Sequence, residues 1–502
     1  MKPLPAAPLA VTERLYIDGQ WVPAHSTTSI EVIDSTTEQV YYSVPDADIV
    51  DIDRAITAAR RAFDEGPWPR MTHAERGQVL HRIADAVEAR IGDVVEMWPR
   101  ETGILASMVP LVMAEVIDCY RYYAGLAETF AFAEVIPPTN GANFGMIVKE
   151  PVGVVGAIIP WNSPMALMAY KIAPALLAGA TVVVKSSPEA PSAGYLMAEI
   201  AEQIGLPAGV LNVVTADRVA SEALVTDPRV DKIAFTGSTE AGKRIGGILG
   251  GRIARSSLEL GGKSPAIVLD DYDIGTAART IAAAECFLSG QICASLTRVI
   301  VSADRHDEMV DALAKEFAQV TIGDPFDPAV AVGPLATERQ RARVENYIAI
   351  GQAEGARLAY GGGRPGHLSH GWFVEPTVLG EVDPMSRVAQ EEIFGPVLTV
   401  IPAVDLEDAV RIANATEFGL NASVFTHDSQ RVFEIARSLD SGTVGQNGNR
   451  ADFGIGFGGF KRSGIGREGG VAGLQAYLEN KTIVLDAPPA SADLGRESSV
   501  TR

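Results

Sequence analysis

The chain has 502 residues, 47% of them hydrophobic, and it carries a formal net charge of −21. At about 100–200 residues per domain, a chain of this length predicts roughly two to four domains. The apolar content excludes a disordered chain, because such chains lack the apolar surface that offsets the entropy cost of ordering. The acidic balance argues against nucleic acid as a partner, since phosphate backbones select for Lys and Arg.

Cysteine is scarce, and Cys119, Cys286 and Cys293 are the three that occur. They cannot form a disulfide framework, and no two have the C-x-x-C spacing of a zinc ribbon. This usage predicts a reducing compartment, and because prolines interrupt the N-terminal residues we expect no signal peptide and a cytoplasmic location. The uncharged run at residues 151–170 contains glycines and prolines that a lipid-exposed helix tolerates poorly, so we expect no membrane span.

Hydrophobic periodicity divides the chain into helical and alternating regions. Apolar residues at helical spacing predict helices between residues 48 and 97. Beyond them, short apolar runs alternate with helical stretches, which is typical of a parallel sheet covered on both faces. The predicted strands are 152–159, 181–184, 210–214, 232–235, 266–269, 298–301, 397–401 and 422–425, and the predicted helices are 165–177, 192–204, 240–249, 306–317 and 338–352. The fold class is therefore α/β with two parallel-sheet domains, the second beginning near residue 261.

A turn-rich insert at residues 134–150 contains Pro137-Pro138 and Asn140-Gly141, and it predicts a β-hairpin arm.

Two glycine patterns suggest phosphate binding. Residues 237–244 nearly match the P-loop G-x-x-x-x-G-K-[ST], but Arg244 replaces the hydroxyl that would ligate Mg²⁺. A P-loop-like NTPase is nevertheless kept as the alternative from a different class. What the segment does predict is a helix N-terminus that follows a strand, with free N–H groups for a pyrophosphate. Residues 464–469 read G-x-G-x-x-G, but no apolar strand precedes them, so we interpret them as a loop that permits close backbone approach.

Four residues are candidates for chemistry. Cys293 follows Gly290 among small residues, which favours an accessible thiol over a core one. Glu259 lies between two leucines, where apolar neighbours would raise its pKa and suit it as a base; the alternative is a strand or helix end paired with Lys263. Asn162 and Lys185 each follow a buried strand, so they could serve an oxyanion and a cofactor, or instead be a turn cap and a solvated lysine.

Together these segments resemble the aldehyde dehydrogenase superfamily over about residues 15–485. The resemblance rests on six motifs in order: 160–162 (PWN), 235–238 (FTGS), 258–263 (LELGGK), 290–293 (GQIC), 391–396 (EEIFGP) and 457–464 (FGGFKRSG). It implies that Cys293 attacks the aldehyde carbon and that the Asn162 amide and the Cys293 backbone N–H hold the oxyanion. Glu259 would then activate the water that hydrolyses the thioester. Members that pass the acyl group to coenzyme A typically lack this base, so the CoA-acylating alternative is disfavoured.

The resemblance also implies a cofactor and an assembly. The cofactor is NAD, and NADP use is possible because Pro188 stands where many relatives carry a ribose-binding Glu. The implied cofactor residues are Ile158, Pro160, Trp161, Lys185, Gly209, Gly237, Ser238, Leu260, Glu392 and Phe394. The implied division is a cofactor-binding domain (8–127 and 149–260), a catalytic domain (261–475) and an oligomerisation arm (128–148 and 476–490). We expect two Rossmann-like domains and a homodimer or homotetramer.

The implied substrate channel is mostly apolar. Its residues are Ser163, Leu167, Tyr170, Ile292, Ala294, Ala451 and Phe457. This lining predicts a hydrophobic aliphatic, terpenoid or aromatic aldehyde. The alternative is a semialdehyde dehydrogenase in which Arg450 binds a substrate carboxylate. No H-E-x-x-H or other metal-binding pattern occurs, so no metal is expected.

Overall fold

The computed structural model describes residues 3–489. In chain order the strands are β1 (Leu15–Ile17), β2 (Gln20–Val22), β3 (Ser29–Ile33), β4 (Val40–Pro45), β5 (Ala133–Val135), β6 (Phe144–Pro151), β7 (Val154–Ile158), β8 (Thr181–Ser186), β9 (Leu211–Thr215), β10 (Lys232–Thr236), β11 (Arg255–Glu259), β12 (Pro265–Val268), β13 (Arg298–Ser302), β14 (Arg357–Tyr360), β15 (Thr377–Gly380), β16 (Val397–Ala403), β17 (Asn421–Phe425), β18 (Thr443–Gln446), β19 (Gly464–Ile465) and β20 (Leu478–Leu485).

The α-helices are α1 (Ile49–Asp64), α2 (His73–Ala89), α3 (Ile91–Thr102), α4 (Val109–Thr129), α5 (Pro164–Ala178), α6 (Ser192–Gln203), α7 (Arg218–Thr226), α8 (Thr239–Arg252), α9 (Ile274–Cys286), α10 (His306–Phe317), α11 (Glu338–Ala353), α12 (Arg387–Gln390), α13 (Leu406–Asn414), α14 (Ser429–Ala436) and α15 (Gly470–Gln475).

The first large sheet has the strand order β19-β11-β10-β7-β8-β9-β1-β2, and its central strands β7 to β11 are parallel. The chain moves outward from β7 through β8 to β9, and then returns to the other side of β7 with β10 and β11. Strand order therefore reverses between β7 and β10. In open α/β sheets, ligands bind beyond the carboxyl ends of the strands at such a reversal.

The second large sheet has the order β14-β15-β16-β13-β12-β17-β18, and all of its neighbouring strands are parallel except the edge pair β14–β15. Apolar cores lie on both of its faces. The sequence prediction of an α/β fold with two parallel sheets is confirmed. The pattern missed β11, because Arg255–Ser257 are polar and only Leu258 has the apolar character of a buried strand.

A five-residue connection joins the two sheets. β11 ends at Glu259 and β12 begins at Pro265, so the chain passes directly from the carboxyl edge of the first sheet to the amino edge of the second. Arg298, at the start of β13, is fully buried and fixes this connection. Its guanidinium donates to the carbonyl of Lys263 at 2.8 Å and to those of Ile412 and Ala413 at 3.0 and 2.7 Å. The two edges therefore face each other across residues 260–264.

The predicted arm is a small antiparallel sheet. β6 pairs with β5 on one side and with β20 along its whole length on the other. The hairpin at residues 134–150 and the C-terminal strand are thus one unit; residue 490, the last of the predicted arm, lies outside the described residues.

Within residues 3–489, no helix has the length and apolar content needed to cross a membrane. The same part of the chain contains no group of three His, Cys, Asp or Glu side chains arranged to hold a metal ion.

Gly209 has a packing role rather than a place in the ligand crevice. It precedes β9, at the amino end of the first sheet's strands, whereas the other cofactor residues predicted on that sheet lie at the carboxyl ends. Its φ is +79°, and an added Cβ would lie 2.6 Å from the carbonyl oxygen of Ala58 and 2.8 Å from the Cβ of Ala62, both in α1. The structure therefore does not place Gly209 with the cofactor residues, and contact with helix α1 explains the glycine.

We predict that Gly209→Ala lowers the free energy of unfolding. The positive φ alone should cost roughly 1–3 kcal/mol in a residue other than glycine, and the contact of the new methyl group with α1 should add to that cost. Gly205→Ala is the matched control, since its φ is +67° but open space surrounds it. Denaturant titration of both variants measures the difference, and NAD⁺ affinity should stay unchanged in each. If folded Gly209→Ala binds NAD⁺ more weakly, Gly209 contributes to cofactor binding and the packing explanation is wrong.

Candidate active site

The Cys293 loop has an unusual backbone. Before it, a turn at Phe287–Gly290 follows α9, and Leu288, Ser289 and Gly290 in this turn all have positive φ. The Ser289 hydroxyl donates to the Gly333 carbonyl at 2.9 Å. Two consecutive non-glycine residues in the left-handed region cost free energy, so this loop is held in place by its surroundings. The result is a sharp turn that presents Cys293 at the amino edge of the second sheet.

Gln291 anchors this loop, and the sequence analysis did not identify it. Its fully buried side chain donates to the carbonyls of Thr102 and Leu288 at 3.2 and 3.1 Å and accepts the Ala336 N–H at 3.0 Å. Thr102 and Ala336 are distant in sequence, so only the motif GQIC could have indicated this role of Gln291. Beyond Cys293, Asn421 and Asn449 donate to the Ala294 carbonyl at 2.9 and 3.2 Å. The nucleophile loop is therefore fixed on both sides of the cysteine.

Asn162 lies against the same loop. Its Nδ2 donates to the Gln291 carbonyl at 2.9 Å, and its own carbonyl accepts the indole N–H of Trp98 at 3.1 Å. It is therefore not a turn cap. The structure therefore places the Asn162 amide beside Gln291, two residues before Cys293. An oxyanion site at Cys293 requires a hydrogen-bond donor in this position.

Cys293 is surrounded by acidic groups. Burial, together with the charges of Glu392 and Glu259, raises the pKa of its thiol to about 12, although the backbone N–H groups of Cys293 and Ala294 oppose the rise. Gly262 allows close contact, because an added Cβ there would lie 2.3 Å from the Cys293 carbonyl oxygen. The resting thiol is therefore protonated at neutral pH. Cys119 and Cys286 are buried core thiols.

Glu259 ends β11 with only 3% of its surface exposed. Within the described chain neither carboxylate oxygen has a hydrogen-bond partner, so the predicted alternative of a pair with Lys263 is wrong. Burial, and secondarily the charge of Glu468, raise the pKa of Glu259 well above its usual range, while Lys171 and Arg467 oppose the rise. An unpaired buried carboxylate with a raised pKa has the properties of a general base.

A buried ion pair lies behind Glu259. Lys171 donates to Glu468 at 2.7 Å and to the hydroxyl of Thr236 at 2.5 Å, and the two charged side chains are at most 2% exposed. The sequence analysis missed both charged residues. The signal was the lone lysine in the otherwise uncharged helix α5, since an isolated charge in an apolar helix must find a buried partner.

The cofactor candidates gather at the carboxyl edge of the first sheet. Ile158 and Lys185 are cross-strand neighbours on β7 and β8, and residues 160–161 follow β7 directly. Gly237 and Ser238 follow β10, where the Ser238 hydroxyl caps α8 by accepting the Ala241 N–H at 3.3 Å. Leu260 follows β11 and is buried. Helix α8 thus turns its N–H groups toward the crevice, as anion binding requires.

Lys185 fits a cofactor hydroxyl. It is 9% exposed, so the predicted alternative of a solvated lysine is wrong. Burial lowers the pKa of Lys185 to about 8, and Glu189 and Asp217 oppose this fall. Among residues 3–489 its ammonium makes no hydrogen bond, which leaves its donors for a ligand in the crevice.

Glu392 and Phe394 reach the crevice from the second sheet. Glu392 Oε1 accepts the Gly262 N–H at 3.1 Å, and an added Cβ at Gly261 would lie 2.6 Å from its other oxygen. Phe394, with φ of 65°, packs edge-on against Trp161 at a centroid distance of 5.4 Å. Residues of both sheets therefore meet at one place, where the Lys185 ammonium and the N–H groups of α8 suit the hydroxyls and phosphates of a nicotinamide dinucleotide.

The predicted channel has an aromatic wall. Ser163, Leu167 and Tyr170 share one face at the start of α5 because their spacing follows the helical repeat. The Tyr170 ring stacks on Phe453 at 3.8 Å, and Phe453 stacks on Phe457 at 4.4 Å. Ile292, Ala294 and Cys293 pack in the same cluster as Phe457, together with Leu420. Phe453 and Leu420 were not predicted.

The polar residues at the channel mouth do not favour a carboxylate site. Ala451 is exposed, at the outer end of the channel set. Arg450 is also exposed, and its Nε donates to the Gln446 carbonyl at 3.2 Å.

The P-loop-like segment at residues 237–244 does not have the arrangement of a P-loop, because Lys243 is exposed on α8 and Arg244 pairs with Glu222 at 2.6 Å.

We predict slow, pH-dependent alkylation of Cys293 in the free protein. With a pKa near 12, the thiolate fraction rises about tenfold per pH unit between pH 7 and 9, so the iodoacetamide rate rises equally without a plateau. Peptide mapping measures labelling, with buried Cys119 and Cys286 as internal controls and Cys293→Ala as the blank. A plateau below pH 8, or equal labelling of Cys119, would contradict this account.

Comparison with known proteins identifies the family. The Aldehyde dehydrogenase family model matches residues 21–483. A geranial dehydrogenase of Castellaniella defragrans is 43% identical, over 94% of this chain and 98% of the relative. A Mycobacterium tuberculosis aldehyde dehydrogenase complexed with NAD⁺ superimposes with a TM-score of 0.92 at 39% identity, covering 94% of this chain and 98% of that one.

A variant of aldehyde dehydrogenase C of Pseudomonas syringae, in complex with NAD⁺ and octanal, also superimposes with a TM-score of 0.92 at 36% identity, covering 97% of this chain and 100% of that one. The motif-based resemblance is thus confirmed, and the P-loop alternative is excluded. The chain belongs to the aldehyde dehydrogenase family, a family of NAD(P)-dependent oxidoreductases.

Proposed function

We propose that this protein oxidises a hydrophobic aldehyde to the free carboxylic acid, with NAD⁺ as the hydride acceptor. The observation that carries the proposal is the buried, unpaired carboxylate of Glu259 beside the Cys293 loop. Such a group favours a hydrolytic member, since a water molecule activated by a general base is what releases an acyl-enzyme as a free acid.

The chain's own residues account for the first half of the reaction. Cys293 gives its proton to solvent water, and the thiolate attacks the aldehyde carbon; the C=O π bond breaks, which forms a thiohemiacetal with a negatively charged oxygen. The Asn162 Nδ2 and the Cys293 backbone N–H then stabilise the oxyanion, in a site fixed by the Gln291 contacts. When bound, the nicotinamide supplies the hydride acceptor. Loss of hydride leaves a Cys293 thioester.

Glu259 governs the second half. Its ionised form takes a proton from a water molecule, whose oxygen attacks the thioester carbon; the C–S bond breaks and the acid leaves. The rate of this step depends on the ionised fraction of Glu259. Because burial raises the pKa of Glu259, that rate decreases as the pH drops through the raised pKa. The buried Glu468–Lys171 pair lies within electrostatic reach of the base: the charge of Glu468 raises the pKa of Glu259, and the Lys171 ammonium opposes that rise.

NAD⁺ is the proposed cofactor, and NADP⁺ use remains compatible with the ribose-binding end. Lys185 would hold the adenosine ribose, Ser238 and the N-terminus of α8 the pyrophosphate, and Glu392 with Phe394 the nicotinamide ribose. No carboxylate stands at Pro188, and the next residue, Glu189, is already bonded to Ser187 at 2.5 Å and to Arg339 at 2.8 Å. A 2′-phosphate would therefore meet less repulsion than beside a free glutamate.

A terpenoid or medium-chain aldehyde suits the channel best. The stacked rings of Tyr170, Phe453 and Phe457 form a flat apolar wall that leads to the Cys293 cluster. The similarity to a geranial dehydrogenase, and to a relative whose complex contains octanal, supports the same class. The exposed position of Arg450 disfavours a semialdehyde substrate.

We further propose that the protein assembles as a homodimer or homotetramer through the arm, and that it acts in a reducing compartment such as the cytoplasm. The arm leaves a free edge on β5, the kind of edge that proteins cover by pairing between subunits. A reducing compartment keeps Cys293 in the thiol form that attack on an aldehyde requires.

We predict separable effects at Cys293 and Glu259. Cys293→Ala should abolish dehydrogenation, whereas Glu259→Gln should keep one rapid turnover of NADH per site and then slow by about 10²–10⁴-fold, the usual contribution of a general base. Stopped-flow absorbance at the NADH band measures both phases. Glu308→Gln, an exposed carboxylate on α10, is the control. An unchanged steady-state rate in Glu259→Gln would remove it as the base.

We predict a chain-length-dependent loss in Phe453→Ala. Removing the central ring of the wall should lower kcat/KM for geranial or octanal by about 10- to 100-fold, while short aldehydes such as propanal change little because they do not reach the ring. Phe433→Ala, which removes a ring that is 60% exposed on α14, is the matched control. Equal losses for long and short aldehydes would show that Phe453 does not contact the substrate.

A further inference from the structure

Glu285 is a buried carboxylate that the mechanism above does not use. It lies in the last turn of α9 and is 1% exposed. A carboxylate is almost never buried to this degree unless it has partners that hold it there. Its neighbours are therefore informative about its role.

One oxygen of Glu285 holds the nucleophile loop. Glu285 Oε2 accepts the hydroxyl of Ser295 at 2.7 Å, two residues beyond Cys293. The other oxygen lies under the start of the same loop, because an added Cβ at Gly290 would lie 2.7 Å from Glu285 Oε1. The side chain thus contacts the loop on both sides of the cysteine.

The same carboxylate faces the cofactor loop, residues 391–397. The added Cβ at Gly290 would also lie 2.5 Å from the carbonyl carbon of Gly395, so Gly290 fills the space between Glu285 and that loop. Burial raises the pKa of Glu285, and the backbone N–H of Val397, in the cofactor loop, is among the groups that oppose this rise. Glu285 therefore stands where the loop that carries Cys293 meets the loop that carries Glu392.

Lys263 completes the cluster. It is 2% exposed, and in the described part of the chain neither its Nζ nor Glu285 Oε1 has a hydrogen-bond partner. Burial lowers the pKa of Lys263 to about 7; Arg298 and Arg343 add to the fall, whereas Glu285 and Glu392 oppose it. Burial likewise raises the pKa of Glu285 to about 8. Lys263 thus lies within electrostatic reach of both carboxylates.

We propose that Glu285 is a positioning residue for hydride transfer: it fixes the nucleophile loop relative to the cofactor loop, so that the substrate carbon on Cys293 faces the nicotinamide held by Glu392. The inference rests on the roles proposed above for Cys293 and Glu392. Because hydride transfer needs close alignment of two centres carried by different loops, small errors in their relative position are costly.

Cofactor-independent ester hydrolysis separates this role from a merely structural one. An activated ester such as p-nitrophenyl acetate needs Cys293, Asn162 and Glu259 but no nicotinamide, so it reports on the nucleophile loop alone. Hydride transfer in a single turnover reports on both loops together. Rates are normalised to active sites by counting alkylated Cys293.

For Glu285→Leu we expect hydride transfer to slow by about 10- to 100-fold, with ester hydrolysis little changed. Glu285→Gln keeps a group that accepts the Ser295 hydroxyl and should restore most of the rate. Ser295→Ala should reproduce part of the loss, and the double variant should be no slower than Glu285→Leu, since the two side chains act through one contact. Asp51→Asn, which alters a fully buried carboxylate at the start of α1, is the matched control for lost stability.

Parallel loss of hydride transfer and ester hydrolysis would overturn the proposal, because it would show that Glu285 supports the nucleophile loop only. Unchanged hydride transfer in folded Glu285→Leu would overturn it as well. If Glu285→Leu does not fold, Ser295→Ala gives the same comparison. Failure of the unmodified protein to oxidise any aldehyde would instead contradict the proposed function. That result is distinguishable from failure of the Glu285 proposal, which appears only in the variants.

Discussion

The short connection between β11 and β12 imposes the geometry on which the rest of the site depends. Residues 260–264 leave no room for a crossover, so the carboxyl edge of one parallel sheet must face the amino edge of the other. Parallel sheets present ligand-binding loops at their carboxyl ends. The second sheet therefore supplies its nucleophile from the opposite edge, through the strained turn before Cys293. The buried guanidinium of Arg298 locks this arrangement by binding the carbonyl of Lys263.

Burial sets the chemistry at this junction. The thiol of Cys293 lies within electrostatic reach of the carboxylates of Glu259 and Glu392, and the pKa of each group is raised mainly by burial. Burial thus disfavours the charged forms of all three groups, and a raised pKa suits Glu259 to act as a base. Lys171 and Lys263 provide buried positive charge on two sides of the site. Buried polar groups without partners, such as Glu259 and Lys263, lower the stability of the folded protein, and such groups are common in catalytic sites.

Sequence alone predicted the architecture, which the structure confirms, and the proposed reacting groups, because their signals are local. Alternating apolar runs reveal buried parallel strands, and Cys293, Glu259 and Asn162 stand in short motifs whose residue types match their chemistry. Lys185 and Ser238 followed from their places at strand ends, which is a topological rule rather than a residue signature.

What sequence did not reveal depends on long-range contacts. Gln291 binds partners from α3 and from residue 336, and Lys171 pairs with Glu468 almost 300 positions away. Phe453 lies in a segment without regular structure, where periodicity carries no information. Gly209 was placed with the cofactor by the family resemblance alone, and the structure shows that it lies at the amino end of β9, against helix α1.

The central claim is that Glu259, at the carboxyl edge of the first sheet, and Cys293, at the amino edge of the second, act in the same reaction: Cys293 forms the thioester that Glu259 helps to hydrolyse. The most direct measurement is the mass of the Cys293 peptide after Glu259→Gln protein is mixed with NAD⁺ and octanal and quenched in acid. The account predicts an octanoyl thioester on Cys293 in the variant, formed together with one equivalent of NADH, and little adduct in the unmodified protein. An acyl group on another residue, or NADH formed without any acyl adduct in the variant, would contradict it.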